Sequence, residues 1–404
     1  MLRKLLSAIL FLGVIPCEAA LFTFYNNSEL GSKLTFMLNI VTCIIAGIYF
    51  LINMTKKTYN ERIVVKYIVC GIAIIILNQL SSMIANEEDN SRTISIICLF
   101  AYYLYVLYMF KEPDDVIKSI NITLFFLIMA SFIFYYIKPM NVTYIENATT
   151  RYFKGVAYNR NSYADISLFY IASNIYLWSK KKKYALFYLP TTIIALYTTY
   201  LTHSATSTVC AFLLVLLSLI YLFTKRTIPL SIFVGGYIFI FVSLIIIQSS
   251  NTPFLSQITR YFQKSNGLTG RTNIWTTTMK LLTEAPVFGR GFDTYVLARN
   301  GIVENDPHNS ILYTLLTQGV CGIFIIIYML YKPIKIARQT LGNNDLFAFL
   351  YIFIMIWMVR GLTESVMSYT HFTFWISVVA VEMLITTNQK NILDKKDLKN
   401  EQTI

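Results

Sequence analysis

The chain is poor in charge, and it lacks the residue groupings that build metal and nucleotide sites. Asp, Glu, Lys and Arg make up 14% of the 404 residues, against 56% hydrophobic and 15% aromatic, with a mean hydropathy of +0.56. A soluble fold cannot hide that much apolar surface, so an all-α integral membrane protein is expected. The six Cys (17, 43, 70, 98, 210 and 321) include no CxxC pair and sit in or near apolar runs. That argues against a disulfide framework or a zinc site and assigns them to packing. No DxD, HExxH or close Cys/His cluster is present, and the outer carboxylates are scattered, so no metal is expected. There is no P-loop either. With no ATP outside the cell, a transfer reaction there needs a donor that is already activated. No cofactor and no nucleic-acid partner are expected.

What the chain does have is about twelve apolar runs, each near the roughly 20 residues that a bilayer core about 30 Å thick requires. They fall at 5–24, 34–54, 63–84, 93–110, 119–137, 162–178, 184–202, 205–223, 227–248, 310–331, 346–360 and 370–387. Lys and Arg concentrate in alternate connections, "TKKTYNER", "KEPDDVIK", "SKKKKY", "TKR", "YKPIKIAR" and the tail "DKKDLK". The positive-inside rule then puts both termini in the cytoplasm. The start, "MLRKLLSAILFLGVIPCEAA", has the outline of a signal peptide ending near Ala19. It is read as a first membrane helix, because its removal would invert the charge pattern of every later loop.

Two outer segments are long, 138–161 and 249–309, and long loops in compact proteins are often functional. The residues expected to divide the chain are 1–137 and 138–248 as helical parts, 249–309 as an outer catalytic loop between helices 9 and 10, 310–387 as the last helices and 388–404 as a cytoplasmic tail. Only four of the 12 Arg (3, 62, 226 and 338) are expected inside; Arg92, Arg151, Arg160, Arg260, Arg271, Arg290, Arg299 and Arg360 are expected outside. A guanidinium fork suits phosphate oxygens, so this clustering against the positive-inside trend points to an anionic ligand. The plainer alternative for any one of them is a lipid headgroup or a carboxylate such as Glu284 or Asp293. All three His (203, 308 and 371) fall at expected outer helix ends. His308 follows the Arg-rich loop and precedes Asn309, with Asp306 or Asn309 available to orient its ring. Gly270, Gly289 and Gly291 can bring backbone N–H groups to an anion or simply make turns.

The segment "GRTNIW…EAPVFGRGFDTY" followed by "PHNSILYTLLTQGVCGIF" resembles the O-antigen ligase and polymerase (Wzy/WaaL-type) family. "GVAYNRNSYADISL" (155–168) is similar to that family's Asn-x-x-Ala entry into a membrane helix, and "GLTES" (361–365) to its late acidic loop. The likeness covers roughly residues 150–380. It implies about twelve membrane helices and metal-independent transfer of a glycan from undecaprenyl pyrophosphate to a sugar hydroxyl outside the membrane. By position it implies that Arg271 binds the pyrophosphate and that His308 takes or orients the hydroxyl proton. Arg290 becomes a second phosphate ligand, Asn161 and Asn309 substrate-binding residues, and Glu364 a holder of an Arg or of the acceptor. Relatives often carry Arg where this chain has Ala205, in "THSATS", and Arg160 or Arg290 are the candidates to replace it.

The first functional reading is a repeat-unit polymerase of the bacterial cytoplasmic membrane acting on lipid-linked oligosaccharide, as in capsule or O-antigen synthesis. A chain-length regulator and a flippase are further expected partners. An Ile-, Asn-, Lys- and Tyr-rich composition hints at an AT-rich genome and favours polymerase over an O-antigen-type ligase. A flippase or transporter would also gather Arg near lipid phosphates. Transporters, however, often show internal repeats and mid-membrane charges, and here no repeat is visible. A non-catalytic scaffold predicts no special sensitivity at Arg271 or His308.

Overall fold

The computed structural model describes residues 2–12, 28–55, 61–85, 92–147, 150–157, 159–180, 184–249, 271–292, 295–302, 306–340, 344–367 and 371–401. The second part of the first apolar run, with Ala19, lies outside them, as do Arg260, Gly270 and Asp293. The helices are α1 (Leu2–Leu12), α2 (Ser28–Asn53), α3 (Glu61–Ala85), α4 (Arg92–Met109), α5 (Pro113–Ile137), α6 (Arg160–Lys180), α7 (Ala185–Leu201), α8 (Ala205–Thr224), α9 (Leu230–Ser249), α10 (Arg271–Glu284), the one-turn α11 (Val296–Arg299), α12 (Ser310–Thr340), α13 (Asp345–Arg360) and α14 (Phe372–Glu401). A short antiparallel hairpin, β1 (Thr143–Asn147) and β2 (Thr150–Phe153), interrupts this helical order within the 138–161 segment. By length and composition, five helices among the described residues can cross a membrane: α2, α3, α5, α8 and α12. Shorter apolar helices accompany them in α4, α7, α9 and α14. The protein is a helical membrane protein; a count of twelve crossings remains an expectation.

Local chemistry sets several helix ends. α5 opens on Pro113, whose missing N–H costs nothing in a first turn, followed by Asp114 and Asp115 on the positive end of the helix dipole. The side-chain oxygen of Asn344 accepts from the Phe347 N–H and starts α13. Ion pairs of Lys4 with Asp115, of Lys118 and Lys180 with Asp114, and of Lys225 with Asp345 tie together the ends expected to face the cytoplasm.

The centre of the bundle is formed by α6 and α13, which are buried on nearly every side. For α13 this follows from a continuous apolar sequence. α6 instead carries buried Asp165, Ser167, Ser173 and Asn174, each of which must be satisfied internally. Asn121 of α5 donates to Ser173 (2.8 Å) and to Asn174 (2.9 Å), while Asn174 donates to Thr191 and Thr192 of α7. Thr199 donates to Ser167 at 2.7 Å. These hydrogen bonds give α5, α6 and α7 a fixed register that apolar packing alone would not specify.

A second buried contact joins α3, α12 and α14. Lys66 pairs with Glu382 and donates to the Met329 carbonyl at 2.9 Å, and Glu382 is 1% exposed. The fold makes these two charges, 316 residues apart in sequence, one pair. Removing one partner strands the other charge in a medium that cannot solvate it. Glu382→Ala is therefore expected to destabilise the protein by about 3–5 kcal/mol, read as a lower unfolding temperature in detergent. The neutral pair Lys66→Met/Glu382→Leu should recover most of that loss. A double variant no better than the single would refute the stranded-charge account.

Candidate functional site

The expected outer loop is built in parts. α10 runs from Arg271 to Glu284 and packs Ile274, Trp275 and Leu281 against Leu312 and Leu316 of α12 and against Val296 and Leu297 of α11. The Trp275 indole N–H donates to the Pro307 carbonyl at 2.7 Å. That bond ties the start of α10 to the turn Asp306–Pro307–His308. Within this turn His308 takes a left-handed backbone (φ 49°), and its N–H donates to Asp306 Oδ1 at 2.7 Å. A non-glycine residue there is uncommon, and His is among the types that tolerate it.

The start of α12 then grips the loop after α13. Asn309 Oδ1 accepts from the N–H groups of Ile311 and Leu312, and its amide donates to the Leu362 carbonyl, all at 3.0 Å. Ser310 N–H donates to the Gly361 carbonyl, and Ser310 Oγ donates to the Glu364 carbonyl and accepts from Met367 N–H. Asn309 is 1% exposed, with both ends of its amide engaged. Its side chain caps the start of α12, whereas the sequence expectation was a substrate-binding residue.

These contacts bring Glu364 between Arg271 and His308. One carboxylate oxygen accepts from Arg271 Nη2 at 3.0 Å, and the other lies 3.2 Å from His308 Nδ1. Three segments far apart in sequence therefore meet at one carboxylate. Glu364, not Asp306 or Asn309, orients the imidazole ring. Burial raises the Glu364 pKa, but the His308 hydrogen bond and the charges of Arg271, His308 and Arg360 outweigh it, and the net shift is downward. Glu364 is thus an ionised acceptor, and His308 Nδ1 carries the hydrogen between them. For His308, burial opposes the charged form, yet Glu364 and Asp306 more than offset it against Arg271, and the pKa is raised above 6.5.

The remaining expected site residues lie elsewhere. Arg290 pairs with Glu284, the plainer alternative for that residue. Its backbone N–H donates to the Leu316 carbonyl, about 9 Å along α12 from Ser310 at 1.5 Å per residue. The Gly289-Arg290-Gly291 stretch is not an open anion-binding loop, because it is inserted beside a break in α12 at Gly319 (φ 60°, ψ −157°). Arg290 and Gly291 N–H groups bond the carbonyls of Leu316 and Thr317, and Val320 and Cys321 N–H groups bond those of Pro286 and Val287. Ser81 of α3 donates to the Phe288 carbonyl, and Phe292 N–H donates to Asn78. Arg160 lies over the Tyr152 ring, 4.4 Å from its centroid, and Asn161 offers its backbone carbonyl to Arg360 at 2.7 Å. Ala205, at the first turn of α8, is next to Thr206, whose hydroxyl meets Thr363 at 3.1 Å. Ala205 thus borders the Glu364 loop.

A grouping without a role in the sequence reading is Asp165, Arg360 and His371. Arg360 is fully buried and pairs with Asp165, whose other oxygen lies 3.1 Å from His371 Nδ1. The signal was present: an acidic residue inside an expected span, such as Asp165, is by default a functional candidate.

Residues 190–327 match the family Wzy_C, O-antigen ligase. The match takes in Arg271, Arg290, His308 and Asn309 and ends before Glu364. It supports the O-antigen ligase/polymerase family, whose members are glycosyltransferase-like membrane enzymes. No curated protein matches the chain.

Proposed function

We propose that the protein is a polysaccharide repeat-unit polymerase, transferring a glycan from undecaprenyl pyrophosphate to a sugar hydroxyl of another lipid-linked unit on the outer face of the bacterial cytoplasmic membrane. The observation that carries the reading is the Arg271–Glu364–His308 arrangement within a chain whose central part matches the O-antigen ligase family. Arg271 uses one nitrogen on Glu364, and its fork retains donors for pyrophosphate oxygens. His308, held through Nδ1, presents Nε2 as the proton acceptor. The acceptor oxygen bonds to the anomeric carbon as its proton passes to Nε2. The bond from that carbon to pyrophosphate breaks, and the leaving group departs with the electron pair. Arg271 offsets the charge that grows there. No metal takes part in this scheme.

The decisive experiment supplies the purified protein in nanodiscs with lipid-pyrophosphate repeat units and EDTA. A ladder of products spaced by one repeat unit is the expected result. The family's ligase description favours a second reading, in which finished glycan moves once to a different glycolipid. A single addition product without a ladder would support it. Loss of all product in EDTA, restored by a divalent cation, would overturn the metal-independent chemistry.

The pH dependence has a defined sign. As a base His308 must be neutral, so kcat/KM falls as pH drops through its raised pKa, which puts the acidic limb above pH 6.5. Glu364→Gln removes the largest influence holding that pKa up and leaves burial and Arg271 pulling it down. The limb should then move to lower pH while the maximal rate also falls. An acidic limb that stays put or moves upward in this variant would contradict the assignment.

A further inference from the structure

Two assemblies of the same composition flank the loop after α13. In each, one carboxylate oxygen pairs with an Arg and the other lies near a His Nδ1: Arg271–Glu364–His308, where Arg271 also donates a hydrogen bond, and Arg360–Asp165–His371, where the Arg and Asp form an ion pair. They adjoin, since the Glu364 N–H donates to the Arg360 carbonyl and the Arg360 charge acts on Glu364. Their exposure differs in a way that bears on ligands. Arg271 is 17% exposed and can reach an anion, whereas Arg360 is 0% exposed, with its fork on Asp165 and on the Asn161 carbonyl. The second Arg therefore cannot meet a phosphate, and its charge is already matched by Asp165. The exposed part of that assembly is the His371 ring, which is 25% exposed.

We infer that Arg360, Asp165 and His371 form an acceptor subsite, in which the buried ion pair fixes the His371 ring to hydrogen-bond a hydroxyl of the incoming glycan. This rests on the transfer reading above and adds the side on which the second substrate is recognised. A reaction joining two lipid-linked glycans needs a charged grip on the donor pyrophosphate and a neutral, directional one on the acceptor sugar. The two assemblies divide in that way. Asp165 and Arg360 are positioning residues here, acting on the glycan only through His371.

The test uses full-length protein in nanodiscs, the lipid-linked repeat unit extracted from the native host as donor, and the same oligosaccharide released from its lipid as acceptor. Loss of one sugar hydrogen bond is worth about 1 kcal/mol, so His371→Asn should raise the acceptor KM roughly fivefold to tenfold, with the donor KM unmoved. Asp165→Asn strands the Arg360 charge and can fail to fold, so the neutral pair Asp165→Asn/Arg360→Gln provides the second variant and should raise the acceptor KM similarly. An unchanged acceptor KM in a His371→Asn protein that melts like wild type overturns the subsite while leaving transfer intact. Equal rises in donor and acceptor KM overturn it too, because they signal a general structural effect. A wild type that transfers nothing to the released oligosaccharide or to a second lipid-linked unit overturns the transfer reading and this subsite with it.

Discussion

His308→Ala is expected to lower the transfer rate by about 10²–10⁴-fold, the range that a positioned acid–base group contributes. The ring is only 28% exposed and makes one side-chain contact with Glu364, so the folded state should survive its loss. Arg271→Ala is expected to cost about 10²–10³-fold or more by analogy with removing one donor to a developing oxyanion. Arg271→Lys should rescue little of it, since an ammonium cannot bridge Glu364 and a phosphate as a planar fork can. The two defects should differ in kind. With Arg271 gone the leaving group is unassisted, so donors with a better leaving group should regain rate. With His308 gone the acceptor proton has no recipient, and raising the pH should recover part of the rate. Single-turnover assays on variants matched for melting temperature check both. Wild-type ladders from both variants would remove the site assignment and leave the transfer reading without these two residues. A block in delivery of lipid-linked units with polymerisation intact would favour the transporter.

Much of this site was legible because a few residues carry chemistry that an apolar chain has no other reason to keep. Arg271 and His308 stood out as a guanidinium and an imidazole beside a long outer segment, and the structure places both on Glu364. What could not be read was which side chain would orient His308. Asp306 and Asn309 were nearer in sequence, but the pairing is set by the grip of α12 on residues 361–367, a contact between segments some 50 residues apart. The place of Arg290, paired with Glu284 and apart from Glu364, was hidden for a related reason. Its flanking glycines suggest an open anion loop as readily as a close backbone approach, and only the break at Gly319 selects the latter. The helical runs were plain from apolar length, whereas the central place of α6 was not, because its buried polar residues are satisfied by Asn121 and by threonines of α7.

Gly319→Ala is expected to be the most damaging single-methyl change in the described residues. Gly319 sits at φ 60° and ψ −157°, a region open essentially to glycine alone. A Cβ added there would come within 3.0 Å of Val287 backbone atoms, and one added at Gly289 would do the same to Gln318 and Gly319. Neither chain can retreat, because hydrogen bonds of 2.8–3.2 Å lock them together on both sides of the contact. Backbone strain and a rigid overlap together should exceed about 3 kcal/mol. At Gly291 the nearest atom is instead the Ser82 side-chain oxygen, which can rotate away, so Gly291→Ala should cost less despite its φ of 77°. Gly235 and Gly236 meet nothing within 4 Å inside α9, and Ala at either should be neutral or stabilise by up to about 1 kcal/mol. Melting temperatures and monodisperse yield across this series check the order. A Gly319→Ala protein as stable as Gly235→Ala would mean that residues 286–291 are not inserted at the break. The order also has a functional consequence: the inserted segment continues directly from the end of α10, whose first residue is Arg271. A conformer that released the segment would free one end of the helix that carries Arg271, the proposed pyrophosphate ligand, and transfer should then fail at temperatures where the rest of the bundle is still folded.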